Sequence, residues 1–164
     1  MSADTIVNVA KAAWDVFTDD APSVDIKGST ANAVPKVDDW QDLRGTRGPM
    51  WLQQSWQRMC AWPMEDYIVA EFTFVLKWDY GATYHGGGAF IPNIWIEVPH
   101  YDIFWGQHVF LSLTVHNPTN ASTVPNAPLA RVPVTIAGTA RNSLRDLHVE
   151  WSYNLYGNGR YERT

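Results

Sequence analysis

Cysteine is nearly absent from this chain: of 164 residues, only Cys60 carries a thiol. No disulfide can close within the chain, so its stability has to come from packing, and Cys60, set in an apolar context, reads as a small buried hydrophobe. Positive charge is also scarce. Against 17 Asp and Glu stand 12 Lys and Arg, a formal net charge of −5. Without a basic footprint the chain is not expected to bind nucleic acid, and Arg44–Gly48 (RGTRG), just downstream of acidic residues, reads as a solvated loop. No apolar run approaches the roughly 18 residues of a membrane-spanning helix. The N-terminus lacks the basic-then-apolar pattern of a classical signal peptide. A soluble protein is expected, with export by another route left open. Repeats, linkers and a second composition regime are missing too, which points to one domain over residues 1–164.

Aromatic residues are abundant instead: nine Trp, seven Tyr and six Phe, within a chain that is 46% hydrophobic and 18% charged. The composition is that of a folded globular protein, with more ring area than a core of this size readily hides. The clearest pattern is Asp66–Tyr80 (DYIVAEFTFVLKWDY). Ile68, Ala70, Phe72, Phe74, Leu76 and Trp78 fall on one side of an extended chain, and Tyr67, Val69, Glu71, Thr73, Val75 and Lys77 on the other. Such alternation predicts a mid-sheet strand with one packed face and one partly wet face.

Similar alternation predicts strands over Met50–Trp62, Phe90–Val98, His108–His116, Leu129–Thr139 and Leu147–Tyr156, and a weaker edge strand over Ser23–Ser29. The first of these forms a hairpin with Asp66–Tyr80. Pro133 suggests an edge or a bulge. Thr30–Pro49, Gly81–Gly88, Pro99–Gln107 and Asn117–Pro128 read as loops. Ser2–Asp19 reads as a helix, because Ile6, Ala10, Ala13, Trp14 and Phe17 recur at three- and four-residue steps. The expected fold is an all-β antiparallel β-sandwich, immunoglobulin-like or similar, with one N-terminal amphipathic helix over about residues 2–19. In architecture alone, with no stretch of matching residues, a helix before an aromatic-rich sandwich is similar to the small pore-forming cytolysins such as the actinoporins.

Catalytic and metal signatures are weak. His85-Gly86-Gly87-Gly88 has the letters of a lipase oxyanion loop, yet no G-x-S-x-G elbow accompanies it, and a turn requiring positive φ accounts for the glycines. His108, His116, His148 and Glu150 are of zinc-ligand type, but eight residues of strand separate the first two by about 26 Å. No metal and no cofactor is expected, and no P-loop, dinucleotide fingerprint, H-E-x-x-H or EF-hand occurs. Asn120-Ala121-Ser122 is a formal sequon read as chance. The candidate ligand-binding residues lie instead in two inter-strand loops: Tyr84 and His85 in one, Tyr101, Phe104 and Trp105 in the other. Rings where the alternation breaks are free to stack on sugars or to sit at headgroup level; the reading set against this is that they fold back to plug the end of the sandwich. The chain is therefore read as a non-enzymatic protein that recognises a cell-surface glycan or lipid headgroup through aromatic loops, with a membrane-active, cytolytic version in which the helix inserts. The alternatives are a structural protein forming a homo-oligomer and a hydrolase using scattered carboxylates such as Glu71, Glu97 and Glu150.

Overall fold

The computed structural model describes residues 6–7, 13–18, 24–27, 31–35, 43–62, 65–103, 108–141 and 146–164. The regular elements among them are all strands: β1 (Ile6–Val7), β2 (Ala13–Thr18), β3 (Val24–Lys27), β4 (Ala31–Pro35), β5 (Leu43–Arg44), β6 (Arg47–Trp62), β7 (Glu65–Tyr80), β8 (Ala82–Tyr84), β9 (Gly87–Ile103), β10 (His108–Val115), β11 (Thr119–Asn120), β12 (Ala130–Arg141), β13 (Asp146–Tyr156) and β14 (Tyr161–Arg163). They form two antiparallel sheets. The first runs β1-β4-β9-β7-β6, with β8 attached to β9 and β5 to β8; the second runs β14-β13-β12-β10-β2-β3, with β11 beside β12.

The long alternating stretch is β7, and it lies inside the first sheet between β6 and β9. Its Phe74, Leu76 and Trp78 are fully buried, as are Phe90 and Ile94 of β9. The second sheet supplies Leu113, Val132, Ile136 and Leu155 to the same buried cluster. Trp151 of β13 joins the two layers. Its ring meets Phe74 at 5.1 Å and Phe72 at 6.1 Å, both edge-on, and such contacts add about 0.5–1.5 kcal/mol each to the area they bury. Arg58 of β6 is buried as well and donates from Nη1 to the carbonyl of Ala140 in β12 at 3.0 Å, a polar tie between the layers.

The helix expected over residues 2–19 is corrected by β1 and β2. Ala13–Thr18 pairs with β10 from Ala13 opposite Thr114 to Phe17 opposite Phe110, and with β3 on its other side. The remainder of that stretch lies outside the described residues. Trp14, Val16, Phe17 and Thr18 are strand formers, a helix of this length is marginal alone, and β10 offers the backbone partners that settle the choice. The resemblance in architecture to the cytolysins rested on that helix and falls with it. The weak strand over Ser23–Ser29 is found as β3, at the edge of the second sheet.

Three further differences have local causes. Ile68, expected inward, is exposed. The register shifts between Arg58 and Met59, so that Ile68 comes opposite Met59, and such an irregularity turns the side chains beyond it to the other face. Pro99 does not end its strand: a second shift, between Thr73 and Val75, absorbs it, and β9 continues to Ile103. Pro133 lies in neither an edge strand nor a bulge, since β12 sits between β10 and β13. Its carbonyl accepts from His116 N at 2.9 Å, so the N–H it lacks would have pointed at His116, an exposed residue just past the end of β10 where water can serve instead.

Candidate functional site

Five residues carried the expectation of aromatic loops, and the structure divides them. Tyr84 and His85 lie where β8 turns into β9. Tyr84 pairs with Gly87, and His85 and Gly86, with φ of 49° and 74°, form the two-residue turn that matches the twist of a hairpin. His85 is exposed, and its ring centroid is 4.1 Å from that of half-buried Tyr84. The H-G-G-G letters are thus a hairpin turn. Tyr101 is a strand residue, opposite Phe72 and packed against the core. From Gly87 to Tyr101 is fourteen residues of β9, roughly 46 Å of strand, so the two groups do not meet. Phe104 and Trp105 lie outside the described residues.

The polar side of the first sheet gathers more chemistry. From Glu71 to Lys77 β7 alternates, so that Glu71, Thr73, the buried Val75 and Lys77 line up on one side with residues of both neighbours. Across to β6 they face Gln57, Ser55, Gln53 and Trp51; across to β9 they face Asp102, His100, Glu97 and Trp95. Residues directly opposite share a face. Trp51, Lys77 and Trp95 therefore form one row across three strands. Trp51 is 59% exposed, a large apolar surface left in water on an edge strand; Trp95, on the far side of Lys77, is partly exposed and also packs against the buried cluster.

This face is internally tied. Lys77 Nζ meets Glu97 Oε2 at 2.6 Å, while Trp95 Nε1 donates to Glu97 Oε1 at 3.1 Å. Further along, Gln57 Nε2 donates to Glu71 Oε2 at 3.0 Å, and His100 Nε2 lies 2.8 Å from Glu71 Oε1. Ser55 Oγ and Thr73 Oγ1 are 2.8 Å apart between them. The hydrogen bond from His100, then that from Gln57, holds the Glu71 carboxyl below its ordinary value; Lys77, then Trp95, does the same for Glu97. Ile68, Val69, Glu71 and Asp102 line a concavity of about 150 Å³ at this end.

The other candidates are dispersed. His116 bonds Thr135 at 2.9 Å and His148 bonds Thr139 at 3.0 Å, and among the described residues no three His, Cys, Asp or Glu come together as a metal set. Of the scattered carboxylates, Glu71 and Glu97 share the face just described. Glu150 lies on β13 in the other sheet, exposed and next to inward-facing Trp151, so it cannot share a cleft with them. Asn120, the sequon residue, accepts at Oδ1 from the backbone nitrogens of Ser122 and Leu129, both at 2.9 Å, and so shapes its own loop.

The row of Trp51, Lys77 and Trp95 was half visible in the sequence. Trp51, Gln53, Ser55 and Gln57 alternate along β6, and Trp95 and Glu97 already stood on the outward side of β9. Which strands are neighbours, and in what register, was not. Among the described residues no helix is long and apolar enough to cross a membrane. Comparison of the chain with protein-family models, with curated proteins and with solved structures gives no match.

Proposed function

We propose that this protein is a non-enzymatic carbohydrate-binding protein, built on a β-sandwich, that takes its ligand on the outer face of β6, β7 and β9. The observation that carries the reading is the exposed indole of Trp51, set in one row with Lys77 and Trp95. An indole offers a flat apolar face to the C–H side of a sugar ring. Gln53, Ser55 and Gln57 stand exposed beside it on the same strand and offer donors and acceptors to hydroxyl groups. Glu71 and Glu97 are held ionised by their partners, which makes them acceptors for hydroxyls and poor proton donors, and a glycosidase needs one carboxylic acid that keeps its proton.

A second reading, binding to lipid headgroups, draws on Met59 and Ile68, exposed opposite each other near the far end of the β6–β7 hairpin. The two readings separate in one experiment. Wild type and Trp51→Ala are applied to a glycan panel and to phosphatidylcholine vesicles. Glycan binding that weakens about tenfold in the variant, the loss expected of a stacking anchor, with an unchanged melting temperature, supports the carbohydrate face. Vesicle binding unaffected by Trp51→Ala, with no glycan bound, favours the lipid reading and rejects the first.

A further inference from the structure

Resting on the carbohydrate reading, we infer that the ligand is a neutral, extended, β-linked glycan chain that crosses the strands and sets every second sugar on Trp51 and Trp95. The two residues are separated by one strand, each directly opposite Lys77. Their backbones therefore stand two strand spacings apart, about 10 Å. That is also the length of the disaccharide repeat in an extended β-1,4-linked chain, where alternate sugars turn over and every second one presents the same face. Two platforms on one side of a sheet meet equivalent faces of sugars n and n+2. A coiled α-linked chain offers no such pair.

The charges on this row select against anionic chains. Lys77 is held by Glu97 at 2.6 Å, so a sulfate or phosphate group would have to compete with a carboxylate already in place, next to the acidic Glu71 and Asp102 further along the face. A neutral hydroxyl of the middle sugar needs no such exchange; it can donate to Glu97 or accept from Lys77 while their bond persists. Glu97 also accepts from Trp95 Nε1, which fixes the orientation of that indole before any ligand arrives, and a platform fixed in advance loses less entropy on binding.

The test is calorimetric titration with cello- and chito-oligosaccharides of two to six sugars, with malto-oligosaccharides of the same lengths as the α-linked series. Affinity for a β-linked series is expected to rise about tenfold between two and three sugars, the contribution of a second stacked ring, and Trp51→Ala is expected to abolish that step while leaving the fold intact by circular dichroism. Trp95→Phe, which keeps a ring, should retain part of it. β-Linked sugars bound without a step at three, or malto-oligosaccharides bound equally well, would overturn the extended-chain inference and leave the carbohydrate face standing. A chain that binds neither these series nor any member of a glycan panel removes both.

Discussion

At the scale of single residues, backbone proximity sets the strictest demands. Gly157 follows β13, donates to the carbonyl of Ala130 at 2.9 Å and accepts from Gly81 N at 2.7 Å. A Cβ there would collide with the carbonyl group of Ala89, which is backbone and cannot rotate away. Gly157→Ala should therefore destabilise the fold by about 1–3 kcal/mol, the range for overpacking, read as a lower denaturant midpoint at unchanged slope. Gly86 makes a different demand: nothing crowds its missing Cβ, and only its φ of 74° favours glycine. Exposed charge pairs give a pH signature. Glu97 is held below the ordinary carboxyl value of 4.5 by Lys77 and then by Trp95. The folded state then binds fewer protons than the unfolded one, so the stability Glu97 contributes is present above about pH 4.5 and is lost as pH falls through the depressed value. Glu97→Gln should flatten the fall of melting temperature with acid from about pH 5 to about pH 3. A wild-type slope in the variant would mean that the Lys77 contact is not made in solution.

At the scale of elements, β2 is the strand that replaces the expected helix, and its removal tests its pairing. It sits between β10 and β3, so deletion of residues 1–20 leaves both without a partner on that side and opens an edge from Phe110 to Thr114. An open edge is a template for aggregation. The truncated chain should melt lower, and the amides of β10 that bond β2 should lose protection in hydrogen exchange; unchanged protection there would refute the pairing. The outer face of β6, β7 and β9 obeys the same logic of neighbours. Trp51 and Trp95 belong to strands that are not neighbours in the sheet, and β7, paired to both, brings them into one row.

At the scale of the whole molecule, the two sheets share one core, and Trp151 is one of the side chains through which they meet. It is 6% exposed and holds the edges of Phe72 and Phe74. Trp151→Ala should cost about 3–5 kcal/mol, the usual range for a buried Trp, whereas Trp151→Phe should retain most of that. Loss of Trp151 with no change in unfolding midpoint would show that the layers do not meet there. The face proposed for ligand lies on the opposite side of β7 from this contact, so variants of Trp151 and Trp51 should act independently, one on stability and the other on binding.

Local alternation is enough to read the β-rich class, most strand positions and the two-faced character of β7, because a period of two with aromatic and β-branched residues fits a pleated strand and gives a helix no apolar stripe. It also determined the β6–β7 hairpin, whose strands alternate on either side of Pro63. What it could not determine depended on distant partners. Residues 13–18 fit helical spacing and strand alternation alike, and the backbone of β10, almost a hundred positions away, made the choice. Tyr101 looked like a loop ring after Pro99; a register shift carries β9 past that proline and turns the ring onto the core. Ile68 fell on the buried side by counting, and one irregularity opposite Met59 put it in water. Even the row of Trp51, Lys77 and Trp95 is a statement about register, and register is fixed by pairing between strands rather than by any local run of residues.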